Sequence, residues 1–98
     1  MGKFREISSE QVANLSLDRL YDSDQPPSLA ALTRLLAKPA GRAWAISGAQ
    51  SIQGVVWFSV VQDEAEIIDI RVGERFRRTG IGESLLTQSF EKLRLSKI

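Results

Sequence analysis

The stretch "AEIIDIRVGERFRRTGIGESLL", residues Ala65 to Leu86, decides the architecture of this chain. Its first part, "EIIDIRV", is apolar and β-branched and predicts a strand. Its last part opens a run of apolar residues at helical spacing: Ile81, Leu85, Leu86, Phe90 and Leu93. This spacing predicts a helix after Gly82. The chain therefore passes from a strand, through a loop with two arginines and a Gly-x-Gly sequence, directly into a helix.

The loop between this strand and this helix has the composition of an anion-binding site. The first turn of a helix carries unpaired backbone N–H groups and the positive end of the helix dipole. Glycines let an anion approach the backbone closely, and arginines add positive charge. A phosphate or pyrophosphate suits such a junction. Two familiar phosphate motifs are excluded, because no lysine follows the glycines and because Leu85 occupies the third glycine position of the dinucleotide fingerprint.

The residues before this stretch predict a strand followed by two helices. The short strand is "KFREIS", Lys3–Ser8. The first helix lies in "SSEQVANLSLDRLYDS", with Ser8 or Ser9 as its N-cap. The second begins near Pro27 and continues until "KPAG", Lys38–Gly41, ends its leucine pattern.

The middle of the chain has the pattern of strands. "RAWAIS" and "IQGVVWFSVVQ" predict two strands joined by a turn at "SGAQS", and "DEA" at Asp63–Ala65 predicts the next turn. Alternation divides the following strand into two faces, with Glu66, Ile68, Ile70 and Val72 on one and Ile67, Asp69 and Arg71 on the other. Trp44 and Trp57 are predicted to lie in the core. The order β-α-α-β-β-β-loop-α predicts an α+β fold with an antiparallel sheet.

Composition limits the class of protein. The 98 residues are 43% hydrophobic and 26% charged, which predicts a single globular domain, residues 1–98. The longest apolar run, Gly54–Val61, is far shorter than the roughly 20 residues that cross a bilayer. The chain has no cysteine and no histidine. We therefore expect a cytoplasmic protein with no membrane contact, no disulfide and no metal centre.

Charge is distributed unevenly along the chain. The net charge is +1, but residues 1–70 hold six Lys or Arg against nine Asp or Glu, whereas residues 71–98 hold seven against three. The positive excess centres on Arg71, Arg75, Arg77 and Arg78, and favours an anionic partner; a solvated basic loop is the alternative. A nucleic acid is not expected, because the overall charge is nearly neutral and Phe76 is the only interleaved aromatic residue.

The loop "RRTGIG", Arg77 to Gly82, resembles the acetyl-coenzyme A (acetyl-CoA) loop of the GNAT family of N-acetyltransferases. The spacing of strand, basic turn, loop and helix over Ala65–Leu86 agrees with that family, as does the upstream β-α-α-β-β order. Within the family, the sequence most resembles the ribosomal-protein alanine N-acetyltransferases. The resemblance implies acetyl-CoA as co-substrate and a primary amine, a protein N-terminus or a small-molecule amine, as acceptor. A non-catalytic acyl-CoA-binding or regulatory module is the alternative.

The resemblance also implies roles for individual residues. The coenzyme A pyrophosphate is implied to bind the backbone N–H groups of Arg77, Arg78, Thr79, Gly80, Ile81, Gly82 and Glu83. The two arginines add charge near the phosphates. The pantetheine arm is implied to pair with the main chain of Ile70, Arg71 and Val72. A main-chain N–H near Ile70 or Arg71 would bind the acetyl carbonyl, as in an oxyanion hole.

Acetyl transfer requires a group that accepts the proton of the amine. Glu66 lies eleven positions before Arg77, which matches the general-base glutamate of the histone-acetyltransferase branch without a gap. An exposed residue at the start of a strand is the other interpretation of Glu66, and Asp69 is a second candidate base. Tyr21 does not match the family's thiolate-protonating tyrosine and is predicted to pack in the core or line the substrate loop. The segment Leu20–Leu29 is implied to line one side of the acceptor groove.

The resemblance covers the N-terminal part of the family's fold. The strand, helix and hairpin that follow this last helix in the family have no counterpart before Ile98. We therefore expect a fragment, a curtailed homologue, or a chain completed by a partner. The strand Glu66–Val72 is then expected to lie at an unprotected sheet edge. An edge of this kind predicts a homo-oligomer, such as a two-fold dimer that pairs the edges of two copies.

Overall fold

The computed structural model describes residues 2–12, 14–15, 17–21, 27–48 and 51–95. Its strands are β1 (Lys3–Ile7), β2 (Gly41–Ser47), β3 (Ile52–Val61) and β4 (Glu64–Val72). Its α-helices are α1 (Ser9–Val12), α2 (Leu29–Leu36) and α3 (Ile81–Leu95), and 3₁₀ turns lie at Leu17–Leu20 and Glu74–Phe76. The predicted α+β order is confirmed. None of the helices in the described ranges is long and apolar enough to cross a membrane.

The four strands form one antiparallel sheet in the order β1-β2-β3-β4. Helices α1 and α2 cover one face and α3 covers the other. Alternation along β2 and β3 fills both faces with apolar side chains. Trp57 is therefore buried on the α1–α2 side and Trp44 on the α3 side, which confirms both as core residues. Within the described residues, β4 pairs with β3 alone and lies at the predicted edge.

The first predicted helix is much shorter in the structure. α1 begins at Ser9. The N–H of Ser8, the residue before it, donates a 2.8 Å hydrogen bond to the side-chain oxygen of Gln11. The helix ends at Val12. The N–H of Asn14 then donates to the carbonyl of Gln11 at 2.9 Å and closes a tight turn. Asparagine favours turns over helix interiors, so the prediction of one continuous helix was wrong and the chain forms a 3₁₀ turn at Leu17–Leu20 instead.

The second predicted helix is confirmed as α2. Ser28 is its N-cap, and the Ser28 hydroxyl accepts a 3.1 Å hydrogen bond from the N–H of Ala31. This bond satisfies one of the orphan donors of the first turn. Leu32 and Leu36 are the buried residues of the helix and anchor it to the sheet.

The turn between β3 and β4 is displaced from its predicted position. The sequence favoured a turn at Asp63–Ala65, but β4 already begins at Glu64. Gln62 and Asp63 form the turn, and Gln62 has a φ of 57°. A two-residue hairpin turn with positive φ matches the twist of the strands, which allows pairing to continue to Val61 and Glu64.

A bulge interrupts the pairing of β3 with β4. Trp57 lies opposite Asp69, but the next residue of β3, Phe58, lies opposite Ile67. Ile68 is therefore the additional residue on β4. Because side chains alternate along a strand, one inserted residue reverses the faces of every residue beyond it.

The bulge moves Glu66 to the other face of the sheet from the one predicted. Glu66 pairs with Ser59, which lies two residues from Trp57 on the same face of β3. Directly opposed residues share a face, so Glu66 lies on the α1–α2 side together with Asp69 and Arg71. The predicted face of Glu66 was wrong, since the regular alternation on which it relied is broken at the bulge.

Helix α3 packs very closely against the centre of the sheet at Gly54. A Cβ atom at Gly54 would lie 2.9 Å from both Ile81 Cγ2 and Leu85 Cδ1. Carbon atoms in contact are normally separated by roughly 3.5–4.0 Å. The glycine on β3 thus sets how near the N-terminus of α3 comes to the sheet.

Candidate functional site

The candidate site lies where β4 passes into α3. β4 ends at Val72, a 3₁₀ turn follows, and α3 begins at Ile81. The loop reverses direction through two residues with positive φ, Arg78 at 65° and Gly80 at 87°. Such angles are easy for glycine and costly for other residues. A Cβ atom at Gly80 would have nothing within 4 Å, so open space lies beside this backbone.

The first turn of α3 presents backbone donors to that loop. The first helical hydrogen bond of α3 joins the N–H of Ser84 to the carbonyl of Gly80 at 2.9 Å. The N–H groups of Ile81, Gly82 and Glu83 precede it and have no acceptor within the helix. The positive end of the helix dipole lies at the same place. The junction can therefore bind an anion through main-chain groups.

The loop is held in place by its own side chains. Arg77 Nε donates to the carbonyl of Val72 at 3.3 Å, and the hydroxyl of Thr79 donates to the carbonyl of Phe76. The N–H of Phe76 donates in turn to the carbonyl of Gly73 at 2.8 Å. Arg77 thus ties the loop back to the end of β4 while its side chain stays exposed.

The charges near the loop are exposed and of both signs. Arg75 and Arg78 are exposed, and no described residue hydrogen-bonds to or forms an ion pair with Arg78. Glu83 is also exposed in the first turn of α3, where its carboxylate interacts favourably with the positive end of the helix dipole. For an anionic ligand, the N–H of Glu83 is the useful group, because its carboxylate repels the ligand.

The main chain before the loop has an open side. Ile70, Arg71 and Val72 pair with β3 through Val56, Val55 and Gly54. On the other side of β4 no described strand is present. Main-chain groups directed outward from this edge are available to an extended ligand, as a strand would use them.

The two candidate bases differ in their surroundings. Glu66 is exposed, and no described residue hydrogen-bonds to its carboxylate. The side chain of Asp69 is only 14% exposed. Asp69 Oδ2 accepts a 2.6 Å hydrogen bond from the hydroxyl of Tyr21 and lies 3.3 Å from Arg71 Nε. Of the two, Glu66 alone has a carboxylate that these residues leave free to take a proton from a substrate.

Sequence reasoning missed the polar cluster around Asp69. Tyr21 also accepts a 2.7 Å hydrogen bond from Trp57 Nε1, and the guanidinium carbon of Arg71 lies 4.0 Å from the centre of the Tyr21 ring. Tyr21 and Asp69 are 48 residues apart, so no local pattern could have revealed the contact. The predicted position of Tyr21 at the core is consistent with its packing against Trp57.

The Tyr21 hydroxyl is held in its neutral form. Burial, followed by the hydrogen bond to Asp69 and the charge of that carboxylate, raises the pKa of Tyr21 above its ordinary range. Each of these effects disfavours a phenolate beside a carboxylate in a desolvated place. Tyr21 therefore serves as a hydrogen-bond donor to Asp69 and not as an acid at neutral pH.

A family model matches most of this chain, including the junction of β4 and α3. The family model described as "Acetyltransferase (GNAT) family" matches residues 9–98. The chain belongs to the GNAT acetyltransferase family. No significant match was found among curated proteins.

Solved structures of acetyltransferases share the fold. The ribosomal-protein-S18-alanine N-acetyltransferase of Escherichia coli has a TM-score of 0.78 at 18% identity, over 95% of this chain and 59% of that one. An aminoglycoside acetyltransferase from an uncultured soil metagenomic sample has a TM-score of 0.70 at 18% identity, over 98% and 72%. A putative streptothricin acetyltransferase from Bacillus anthracis, in complex with acetyl-CoA, has a TM-score of 0.71 at 17% identity, over 99% and 70%. At these identities the similarity shows the fold alone, and this chain spans 59–72% of the three.

Proposed function

We propose that this chain is the cofactor-binding part of an acetyl-CoA-dependent N-acetyltransferase that acts on a primary amine. The observation that carries the proposal is the junction of β4 and α3, where the loop backbone turns at Arg78 and Gly80 and leaves helix donors open. Membership of the acetyltransferase family supports it. So does the acetyl-CoA bound in the similar fold from Bacillus anthracis.

The residues of the junction fit the coenzyme A pyrophosphate. The N–H groups of Ile81, Gly82 and Glu83 supply donors at a helix N-terminus, and Arg78 supplies an exposed cation. A Cβ atom at Gly82 would meet only Val72 Cγ2, at 3.6 Å, so this side of the helix is not filled by the protein. Arg77 and Thr79 keep the loop in the required shape through their bonds to the main chain.

The open edge of β4 fits the rest of the cofactor. The main chain of Ile70, Arg71 and Val72 would pair with the amide groups of the pantetheine arm. An outward N–H near Ile70 or Arg71 would then donate to the acetyl oxygen. Negative charge grows on that oxygen as the amine attacks, and a fixed donor stabilises it more in the transition state than in the ground state.

Glu66 is the proposed base of the transfer. Its exposed carboxylate lies on the α1–α2 face, two residues before the bulge at Ile68. The amine nitrogen forms a bond to the acetyl carbon while the carbon–sulfur bond breaks, and the nitrogen's proton passes to Glu66. The leaving thiolate then takes up a proton from solvent. Asp69 is not favoured as the base, because its carboxylate already accepts a hydrogen bond from Tyr21 and forms an ion pair with Arg71.

For the acceptor we propose a protein N-terminus. One similar fold is that of an enzyme named for the alanine of a ribosomal protein, and another is named for aminoglycosides. The segment Leu20–Leu29 would line the acceptor side; its residues Asp22 and Asp24 lie outside the described ranges. We also propose that the enzyme works in the cytoplasm.

The exposed edge of β4 suggests self-association. Ile67 and Ile68 are 41% and 36% exposed beside it, and we propose that two copies pair through this edge in a two-fold dimer. The same edge is proposed to receive pantetheine, so acetyl-CoA should convert the dimer to the monomer. Light scattering after gel filtration, with and without acetyl-CoA, tests both statements; a monomer at every concentration would contradict the dimer.

The test of the function is a calorimetric titration with acetyl-CoA. The wild-type chain should bind, and Gly82→Trp should abolish binding because an indole would fill the space beside the first helical turn. Thr87→Trp is the matched control, since Thr87 is an exposed residue later on the same helix and should leave binding unchanged. A folded wild-type chain that does not bind acetyl-CoA would overturn the proposal.

Acceptor screening then separates an enzyme from a binding module. A peptide with a free N-terminal alanine, the same peptide acetylated at that nitrogen, and an aminoglycoside are incubated with acetyl-CoA, and released thiol is measured. Acetylation of the free peptide that is lost in Glu66→Gln supports the proposed reaction. Tight acetyl-CoA binding without transfer to any amine would select the non-catalytic alternative.

A further inference from the structure

Three polar side chains converge on the α1–α2 face of β4, close to the bulge. They are Tyr21, which follows the first 3₁₀ turn, and Asp69 and Arg71 of β4. Trp57 of β3 belongs to the same cluster, because its indole N–H donates a hydrogen bond to the Tyr21 hydroxyl. We call these four residues the β4 latch.

The Tyr21 hydroxyl has both of its hydrogen-bonding roles fixed. It accepts from Trp57 Nε1 at 2.7 Å and donates to Asp69 Oδ2 at 2.6 Å. Trp57 is fully buried in the sheet, so the donor that orients the hydroxyl cannot move independently of β3. The Tyr21 hydroxyl is thus hydrogen-bonded both to β3, through Trp57, and to the edge strand β4, through Asp69.

Arg71 connects the same strand to two separate places in the helical layer. Its guanidinium donates to the carbonyl of Leu20 at 3.0 Å and to the carbonyl of Pro27 at 3.3 Å. Leu20 ends the 3₁₀ turn and Pro27 lies just before the N-cap of α2. The side chain of Arg71 therefore holds both Leu20 and Pro27 against β4.

Arg71 of the latch is also one of the residues whose main chain is proposed to bind the cofactor, and Asp69 lies directly before that stretch of β4. The side chains of Asp69 and Arg71 project from the same face of the sheet, whereas the peptide groups between them lie in the plane of the sheet. A ligand that orders those peptide groups along the open edge restricts the side chains as well. Any such coupling is reciprocal, because it is a free energy shared by both events.

We infer that the β4 latch couples acetyl-CoA binding to the helical layer, with Tyr21, Asp69 and Arg71 as positioning residues. Acetyl-CoA on β4 would then stabilise the packing of α2 and the contacts of Arg71 with Leu20 and Pro27. This inference rests on the proposed acetyl-CoA site.

Hydrogen exchange of the α2 amides tests the latch without needing the acceptor. If the chain cannot bind acetyl-CoA while the helical layer is open, exchange in α2 slows in proportion to the ratio of free acetyl-CoA to its Kd. At about 100 times the Kd of acetyl-CoA, the slowing approaches about a hundredfold. The amides of α3 serve as an internal control, because they belong to the proposed pyrophosphate site itself.

Tyr21→Phe removes the hydroxyl and keeps the ring beneath Arg71. In this variant acetyl-CoA should still bind and still slow exchange in α3. Exchange in α2 should respond less than in wild type, because only the bonds from Arg71 to Leu20 and Pro27 still join β4 to the helical layer. Thr33→Val is the matched control: it removes the 2.8 Å bond from the Thr33 hydroxyl to the carbonyl of Leu29 within α2, away from β4. Its α2 amides should keep the full response to acetyl-CoA.

Asp69→Asn provides a second variant if Tyr21→Phe does not fold. The amide oxygen still accepts from Tyr21, but the charge beside Arg71 is gone, so the α2 response should be reduced and not abolished. A wild-type chain that binds acetyl-CoA and protects α3 without protecting α2 would overturn the coupling alone. Equal α2 protection in wild type and both latch variants would do the same. A wild-type chain that fails to bind acetyl-CoA in calorimetry would overturn the proposed function together with the coupling.

Discussion

Gly54 of β3 lies directly beneath Ile81, the first residue of α3, with space for no more than a hydrogen atom between them. The Cβ atom of any other residue would come within 2.9 Å of Ile81 Cγ2. The helix whose N-terminus forms the candidate site is therefore positioned by a residue that lies 27 positions earlier in the chain. Packing in the sheet and geometry of the site are linked through this contact.

Gly54→Ala should destabilise the fold, because α3 must move away from the sheet or distort the strand. Overpacking of this kind typically costs about 1–3 kcal/mol. Urea denaturation measures the change in the free energy of unfolding. Gly82→Ala is the control, since its Cβ would contact Val72 at an ordinary 3.6 Å; an equal loss in both variants would contradict the packing argument.

Gly80→Ala should strain the loop without any steric clash. The residue has a φ of 87° and open space around it, so the cost arises from the backbone alone, about 1–2 kcal/mol. Gly80→Asn should cost less, because asparagine tolerates the left-handed region. Denaturation and the calorimetric affinity for acetyl-CoA are the two measurements, and an alanine variant as stable as wild type would show that the loop adopts another conformation.

Ser89→Ala should stabilise the protein. Ser89 is completely buried in α3, and its hydroxyl has no hydrogen-bond partner among the described residues. Removing an unsatisfied buried hydroxyl recovers its desolvation cost of about 1–3 kcal/mol, and alanine also has the higher helix propensity. Thermal unfolding should show a higher Tm. Ser84→Ala on the same helix is the comparison: its hydroxyl accepts a 2.8 Å bond from Gln88, so no comparable gain is expected.

The Tyr21 hydroxyl should make stability depend on alkaline pH. Its pKa in the folded chain lies above the ordinary 10.0, mainly because of burial and then because of Asp69. The folded state thus holds the proton more tightly than the unfolded state, so this contribution to stability is complete below pH 10.0 and is lost as pH rises above that value. The free energy of unfolding of wild type, measured in urea from about pH 8 to about pH 11, should fall more steeply than that of Tyr21→Phe. Parallel pH curves would contradict the buried, neutral phenol.

Several features follow from residues close together in the sequence. Pro27 ahead of a leucine pattern predicted α2, because helix-start signals and amphipathic packing act within one or two helical turns. The loop Arg77 to Gly82 predicted the junction and the family, because a glycine-containing loop at a helix N-terminus is itself a local structure. The order of β2, β3 and β4 also followed, since short connections place consecutive strands side by side.

Other features were decided only when distant parts of the chain came together. The extra residue Ile68 depends on how β4 pairs with β3, and it alone decides that Glu66 faces the same side as Asp69. The bond from Tyr21 to Asp69 and the close packing of Gly54 against α3 join residues that share no local pattern. Alternation and helical spacing describe each element by itself. Register, bulges and buried polar contacts are properties of pairs of elements, and only the tertiary structure determines which pairs form.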